Sequence, residues 1–342
     1  MPRVPQHFSR CPDPTRDKVS GRVTSVIVVN WNGGELLKRC LNSVRTFPPG
    51  ASFELLVVDN SSTDGSREWL ERQTDVRLIK NAENVGFAKA NNQAFKLSNA
   101  RLFFLLNSDA EIHAQTLDTL IATIRAAKEI GVVGPRLLNP DGSLQPSVWP
   151  NPTTPFETLT NAFRLYKLMP KRVRAERLLG YHWDHSEQRK ANLLSGAALL
   201  IKREVIDDVK GFDERFHLYG EDTEWCLRVV RGAWTILFEP AATVTHYGGA
   251  SAAKRWTNLE KRRAEYLAFF QFQRLALSRR LVLGNLLSGV FIVSTQWFWR
   301  LLTLQSRDEP SMVAKLYRDE LMAVFSGKNP GKHEPSPSRV RR

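Results

Sequence analysis

The chain has 342 residues, 42% of them hydrophobic, with a formal net charge of +14. That apolar content is too high for a disordered chain, and the length suits one large domain or two modest ones. The charge favours anionic partners, whether phosphates, nucleic acid or acidic lipid headgroups, without choosing among them. Cys11, Cys40 and Cys226 have no paired spacing, which argues against a disulfide framework or a zinc cluster and fits a reducing cytosolic setting.

Residues 1–22 are rich in Pro, Arg and Asp and lack an apolar core of signal-peptide length, so a flexible leader is expected there. "VTSVIVVNW" then reads as a buried strand, and Leu36, Leu37, Cys40, Leu41 and Val44 follow at helical spacing. The unit recurs. "FELLVVDN" is a strand and "SSTDGSREWLERQ" turns into a helix. "VRLIKN" is a short strand, "GFAKANNQAFKLSN" a helix and "RLFFLLNSD" a further strand, before the amphipathic "AQTLDTLIATIRAAKE". Strands without polar alternation, separated by helices, predict an α/β fold with a mostly parallel sheet covered on both faces.

Ligands of such sheets bind beyond the carboxyl ends of the strands. Three strand ends converge there: Asn30, Trp31 and Asn32; Asp59 and Asn60; Asn107, Ser108 and Asp109. Asn, Asp and Ser are ordinary turn residues, but their joint placement favours a site. Asp59 is suited to accept from a base N–H. Asp109, at a strand tip, is suited to a hard cation carried by phosphate oxygens. In "SGAALLI", Gly196 and Ala197 are small enough for a ligand to lie against backbone, although a close-packed strand reads equally well.

"VIVVNWNGGELLKRCLNSV", "LLVVDNSSTDGS", "NAENVGFAKANNQA", "FFLLNSDAEI", "LLSGAALLIKREVIDDVKGFDERFHLYGEDTEWCLRV" and "ATVTHYGGAS" occur in order along residues 23–251. In this the chain resembles the family-2 inverting glycosyltransferases of the GT-A fold, in particular their rhamnosyltransferase-like branch. The resemblance implies a Rossmann-like GT-A domain over 23–251, with a nucleotide-sugar half to about 112 and an acceptor half beyond it. It implies a nucleotide-diphosphate-sugar donor, most specifically dTDP-rhamnose, a divalent cation (Mg or Mn) and a glycan or lipid-linked acceptor in cell-surface polysaccharide synthesis. Donor contacts are expected at Asn30, Trp31, Asn32, Asp59, Asn60, Asn84, Gly86, Asn91, Asn107 and Ser108, and cation contacts at Asp109 and His246. Asp222 falls at the position of the catalytic base, with Glu221 beside it as an acceptor contact together with Gly196 and Ala197. Glu224 reads as an ordinary helix-start acid complementing the dipole. The family's Asp-any-Asp element is here Asn107, Ser108, Asp109, so its first acid is missing.

Beyond Ser251 the character changes. "AKRWTNLEKRRAEYLAFFQFQRLALSRR" is a basic, aromatic-rich helix, and "LVLGNLLSGVFIVSTQWFWRLLTL" is apolar but broken by Asn285, Ser288, Ser294, Thr295 and Gln296, short of the roughly 20 uninterrupted apolar residues of a span. A helical extension over 252–326 is expected to lie in the interface of an anionic membrane, with Trp297 and Trp299 at headgroup level, and a disordered basic tail to follow over 327–342. The enzyme is thus expected in the cytoplasm, peripheral to the inner face of the cell membrane, with homo-oligomerisation left open. Nucleic acid is not expected as a partner, because the basic aromatics lie outside the α/β half.

Overall fold

The computed structural model describes residues 24–149, 154–216, 219–248, 257–303 and 308–326. The expected leader 1–22, the basic tail 327–342, and Gly249 and Ser251 of the "THYGGAS" stretch lie outside them.

The first half repeats strand and helix. β1 (Thr24–Asn30) and β2 (Phe53–Asp59) are buried along nearly their whole length and are linked by α1 (Gly34–Thr46). α2 (Ser66–Glu71), the edge strand β3 (Val76–Lys80), α3 (Phe87–Leu97) and β4 (Leu102–Asn107) follow. The chain then makes β5 (Ala110–Ile112), α4 (Thr116–Arg125), β6 (Ile130–Leu138), β7 (Leu144–Gln145) and β8 (Val148–Trp149). The short helices α5 (Pro155–Ala162) and α6 (Lys171–Arg177) lead to β9 (Arg189–Ala191), β10 (Leu193–Leu194) and β11 (Ala198–Lys202). α7 (Arg203–Val209), α8 (Glu221–Arg231) and β12 (Thr235–His246) complete the α/β body.

The main sheet runs β3-β2-β1-β4-β11-β6-β12-β5, with β7 and β9 on side branches. Its first four strands are parallel, as their composition predicts. β11 departs from the expected parallel pattern: it is antiparallel to both β4 and β6. Its apolar run carries no local mark of direction, which is set by the crossover that precedes it. The reversal has a consequence for the site. It brings the entry of β11, at Gly196 and Ala197, to the edge where β4 ends, and the Asn107 amide donates to the Ala197 carbonyl at 2.9 Å.

Two apolar layers cover the sheet. α1 and α4 bury Leu37, Leu41, Leu117 and Ile121 on one face. α3, α7 and α8 bury Ala88, Phe95, Val205 and Trp225 on the other. Helices α9 (Asn258–Ala276), α10 (Arg279–Leu302) and α11 (Asp308–Ser326) form an extension with its own small core around Phe270, Leu286 and Tyr317. In α10 two of the polar breaks seen in the sequence, Asn285 and Ser288, are buried against the protein. α10, with 24 residues, is also long and apolar enough to cross a membrane, the mean hydropathy of an 18-residue window within it reaching 1.5.

Candidate active site

Asn30 ends β1 fully buried, and its side chain organises the turn that follows. Nδ2 lies 2.8 Å from Asp59 Oδ1, 3.0 Å from Ser62 Oγ and 2.9 Å from Ser66 Oγ, while Oδ1 accepts from the Gly33 amide at 3.1 Å. A Cβ on residue 33 would stand 2.4 Å from that Oδ1, so the close approach demands glycine. Asn32 sits at φ 52° and accepts from the Thr63 amide at 2.7 Å; Trp31 beside it is half-buried.

Asp59 is fully buried. Besides Asn30, it accepts from the Ser62 amide at 3.2 Å and from Arg67 Nε at 2.6 Å. Arg67 also donates to the Asn81 carbonyl at 2.6 Å, so a guanidinium that the motif reading passed over compensates the buried charge. The signal was present in the sequence: a basic residue in the first turn of the helix after an acidic strand end. Asn60 donates to the Gly86 carbonyl at 3.3 Å and accepts from Asn81 Nδ2 at 2.8 Å. Asn84 accepts from the Gly86 amide at 3.0 Å, and Gly86, at φ 85°, starts α3. Asn91, buried on the second turn of that helix, donates to the Phe87 carbonyl at 2.9 Å. These residues form one connected polar floor at the ends of β1 and β2.

The second group gathers where β4 ends. Ser108 and Asp109 are buried, and β12 pairs with β5 so that His246 lies opposite Ala110. His246 Nε2 stands 3.3 Å from Asp109 Oδ1 and 3.2 Å from Asn107 Nδ2. Its Nδ1 is 2.7 Å from Gln145 Oε1. The Gln145 amide nitrogen donates to Asn139 Oδ1 and the His246 carbonyl, which leaves Oε1 to accept. The network therefore assigns the proton to Nδ1 and a lone pair to Nε2, where Asn107 donates. Asn107, in the place of the missing first acid, thus helps to orient the imidazole through Nε2. Gln145, on a two-residue strand with no local pattern, was not legible beforehand.

The facing carboxylate oxygen and imidazole nitrogen would suit a divalent cation if Asn107 yielded its hydrogen bond to Nε2, with the remaining ligands taken from phosphate and water, as in Mg and Mn sites on nucleotide substrates. Among the described residues no group of three or more His, Cys, Asp or Glu side chains gathers as a metal site, so the protein would supply this pair alone.

The third group lies where β11 begins. Asp222 Oδ2 accepts from the Gly196 amide at 3.0 Å, and Oδ1 accepts from the Thr223 amide at 2.7 Å. Its carboxylate is only partly buried. Ala197, next to Gly196, bonds to Asn107, so a chain of direct contacts links Asp222 to the His246–Asp109 pair. Glu221 is buried, and among the described residues its Oε2 has no hydrogen-bond partner. Burial, reinforced by the neighbouring Asp222 carboxylate, pushes its pKa up to about 8. Glu224 does more than complement the dipole. It holds Arg228 through Nε at 2.7 Å and a second nitrogen at 2.8 Å, and Arg228 also donates to the Gly211 carbonyl at 2.8 Å, tying α8 to the loop after α7.

A parallel half of the sheet, an antiparallel strand beside it and polar groups gathered at the strand ends are the architecture of the GT-A fold. The model of glycosyl transferase family 2 matches residues 25–209, more than half of the chain, and the chain belongs to that family. It is 26% identical over 257 residues to the N-acetylglucosaminyl-diphospho-decaprenol L-rhamnosyltransferase of Mycobacterium tuberculosis (strain ATCC 25618 / H37Rv), covering 68% of this chain and 78% of that one. It is 27% identical over 211 residues to the low-salt glycan biosynthesis hexosyltransferase Agl10 of Haloferax volcanii, covering 60% and 61%. Among solved structures, the mannosyltransferase PcManGT from Pyrobaculum calidifontis in complex with GDP-Man and Mn2+ shares the fold. Its TM-score is 0.50 at 16% identity, over 95% of this chain and 92% of that one.

Proposed function

We propose that this glycosyltransferase moves rhamnose from dTDP-rhamnose to a glycan or lipid-linked acceptor, with inversion at the anomeric carbon, in cell-surface polysaccharide synthesis at the cytoplasmic face of a membrane. The observation that carries the reading is the direct line of contacts from Asp222 through Gly196, Ala197 and Asn107 to His246 and Asp109. It joins a base to a diphosphate-sized polar edge across one strand crossing. The mycobacterial relative's name supports the sugar and the lipid-linked acceptor.

The Asn30–Asp59–Asn60 floor, with Asn84, Gly86 and Asn91, is assigned to the nucleotide, together with the half-buried Trp31 and Asn32 and the buried Ser108 beside it. Asp109 and His246 are assigned to the divalent cation, which when bound would neutralise charge growing on the leaving diphosphate. The Gly196 and Thr223 amides hold the partly exposed Asp222 carboxylate, which is assigned to take the acceptor hydroxyl proton as that oxygen attacks. A single base with no enzyme nucleophile gives one displacement, hence inversion. Glu221 and the Gly196–Ala197 backbone are assigned to the acceptor. Helix α10 is assigned to contact with an anionic bilayer.

Donors are to be screened for nucleoside-diphosphate release with and without Mg or Mn, in the presence of lipid-linked acceptors, and the product anomer read by NMR. Release from dTDP-rhamnose with an inverted product is expected. Release from a UDP-hexose alone would move the donor assignment, and a retained configuration would overturn the single displacement.

A further inference from the structure

The outer face of α10 does not stand alone. Pro155 packs at Gly284, where a Cβ would meet the proline ring at 2.9 Å, and the Phe163 ring lies 5.8 Å from that of Phe291. Residues 155–168 therefore run beside α10 and extend its exposed apolar surface. Phe156 is 72% exposed, Leu168 85% and Trp299 65%, where large apolar side chains of a water-facing surface would ordinarily be covered. Two polar residues of α10, Asn285 and Ser288, are turned into the protein, while Ser294 and Gln296 stand exposed beside Trp297 and Trp299. Large aromatic and aliphatic side chains left uncovered on one face, with a few polar groups among them, are the pattern of a segment lying at a membrane interface.

Charge names the occupant. Residues 164–177, which continue directly from α5, hold six basic side chains, Arg164, Lys167, Lys171, Arg172, Arg174 and Arg177, against the single acid Glu176. Such a one-signed rim beside exposed aromatics suits a bilayer bearing anionic headgroups.

We propose that residues 156–172 and the outer face of α10 form one two-element docking face for an anionic lipid bilayer. This deepens the membrane part of the reading above and rests on it. It has a functional corollary. A Cβ on Gly220, one residue before α8, would lie 3.6 Å from the Ala268 carbonyl of α9, so the extension that carries the docking face abuts the helix start bearing Asp222. A lipid-linked acceptor held in the bilayer would thus be presented close to the base.

The test uses the full chain in co-sedimentation with vesicles of phosphatidylcholine alone or with phosphatidylglycerol. Wild type is expected to bind the anionic vesicles and to be released by salt. Lys167→Gln/Lys171→Gln/Arg172→Gln should weaken binding about 100-fold, at roughly fivefold per cation. Phe163→Ser/Leu168→Ser should weaken it at least tenfold on both vesicle types. Donor-binding calorimetry serves as the fold control and, being blind to membranes, separates failure of this proposal from failure of the glycosyltransfer reading. Unchanged vesicle binding in both variants, with loss only in Phe291→Ser/Trp299→Ser, would confine the contact to α10 and overturn the two-element face. No vesicle binding by wild type, with a dimer in light scattering that Phe163→Ser/Leu168→Ser abolishes, would assign the face to a second copy and overturn it as well.

Discussion

Asp59 and Asp222 stand at opposite ends of one polar site and are held in opposite ways. Asp59 is fully buried and its oxygens are engaged by an amide side chain, a backbone amide and a guanidinium. Asp222 is partly exposed and held by two backbone amides and, more loosely, the Thr223 hydroxyl, with no cationic hydrogen-bond partner among the described residues. A carboxylate saturated by fixed donors is a structural post whose charge is compensated before any ligand arrives. One that is anchored yet accessible keeps a lone pair for a proton. On the reading proposed above, the contrast separates an acid that shapes the polar floor from one assigned to act, although both read as acids at element ends.

The comparison breaks most decisively at Asp222. Asp222→Asn keeps the size and most of the hydrogen bonding of the side chain but removes its basicity, so transfer should fall by about 10²-fold or more while donor affinity in calorimetry stays near wild type. Normal turnover would return the search for a base to Glu221 and the acids of "GFDERF".

A smaller effect is expected one step behind the proposed cation pair. Gln145→Ala removes the acceptor that fixes the His246 tautomer, and outer-shell partners of metal ligands typically contribute 10–100-fold in metal affinity. Manganese titration followed by electron paramagnetic resonance, in the presence of nucleoside diphosphate, should show a loss in that range with the fold intact. Unchanged manganese affinity would leave Gln145 a purely structural neighbour.

Glu221 sharpens the contrast through pH. Its folded carboxyl, pushed up to about 8 by burial and Asp222, holds its proton over a range in which the unfolded chain, near the ordinary glutamate value of 4.5, has lost it. The folded state therefore binds more protons between these values, and stability falls as pH rises from about 4.5 to about 8, then levels off. Glu221→Gln removes this slope and should make the protein more stable than wild type above pH 8, by on the order of 1 kcal/mol or more. Thermal melts from pH 5 to 9 read the difference directly. Parallel slopes in the two proteins would show that Glu221 ionises freely in the fold.

Much of the nucleotide half was legible because buried parallel strands leave uninterrupted runs such as "TSVIVVN" and "LFFLLN", and the polar residues that stop them are conspicuous. The resemblance placed Asp222, and the structure sets it against Gly196. Other features depend on contacts far apart in sequence. The direction of β11 is decided by its pairing with β4 and β6, to which "ALLIK" carries no local clue. Gln145 meets His246 across 101 residues. The inward turn of Asn285 and Ser288 needs a partner surface on α9 and α11 that helical spacing alone cannot supply. Saturation of a carboxylate is likewise a property of its surroundings: Asp59 and Asp222 differ in their donors and in their burial.

The smallest effect is expected at Glu224, two residues from Asp222 on the same helix, where the distinction between post and base is narrowest. Glu224 lies in the first turn of α8, so a dipole role alone would make Glu224→Gln cost about 0.3–1 kcal/mol of stability. The structure gives it a second role, since both its oxygens receive Arg228, whose remaining donors reach the loop after α7. An amide side chain can accept on one atom only, so one charge-assisted bond is lost and Arg228 keeps its backbone partners. The cost should therefore rise to about 1–2 kcal/mol, in the range of hydrogen bonds to charged groups, and shrink in high salt. Transfer rate should stay within about twofold of wild type, because Glu224 faces the α7 loop while Asp222 faces Gly196. Chemical denaturation at two salt concentrations together with initial-rate assays separates the outcomes. A rate loss approaching that of Asp222→Asn, with little loss of stability, would place Glu224 in the chemistry and dissolve the contrast between anchored and acting acids.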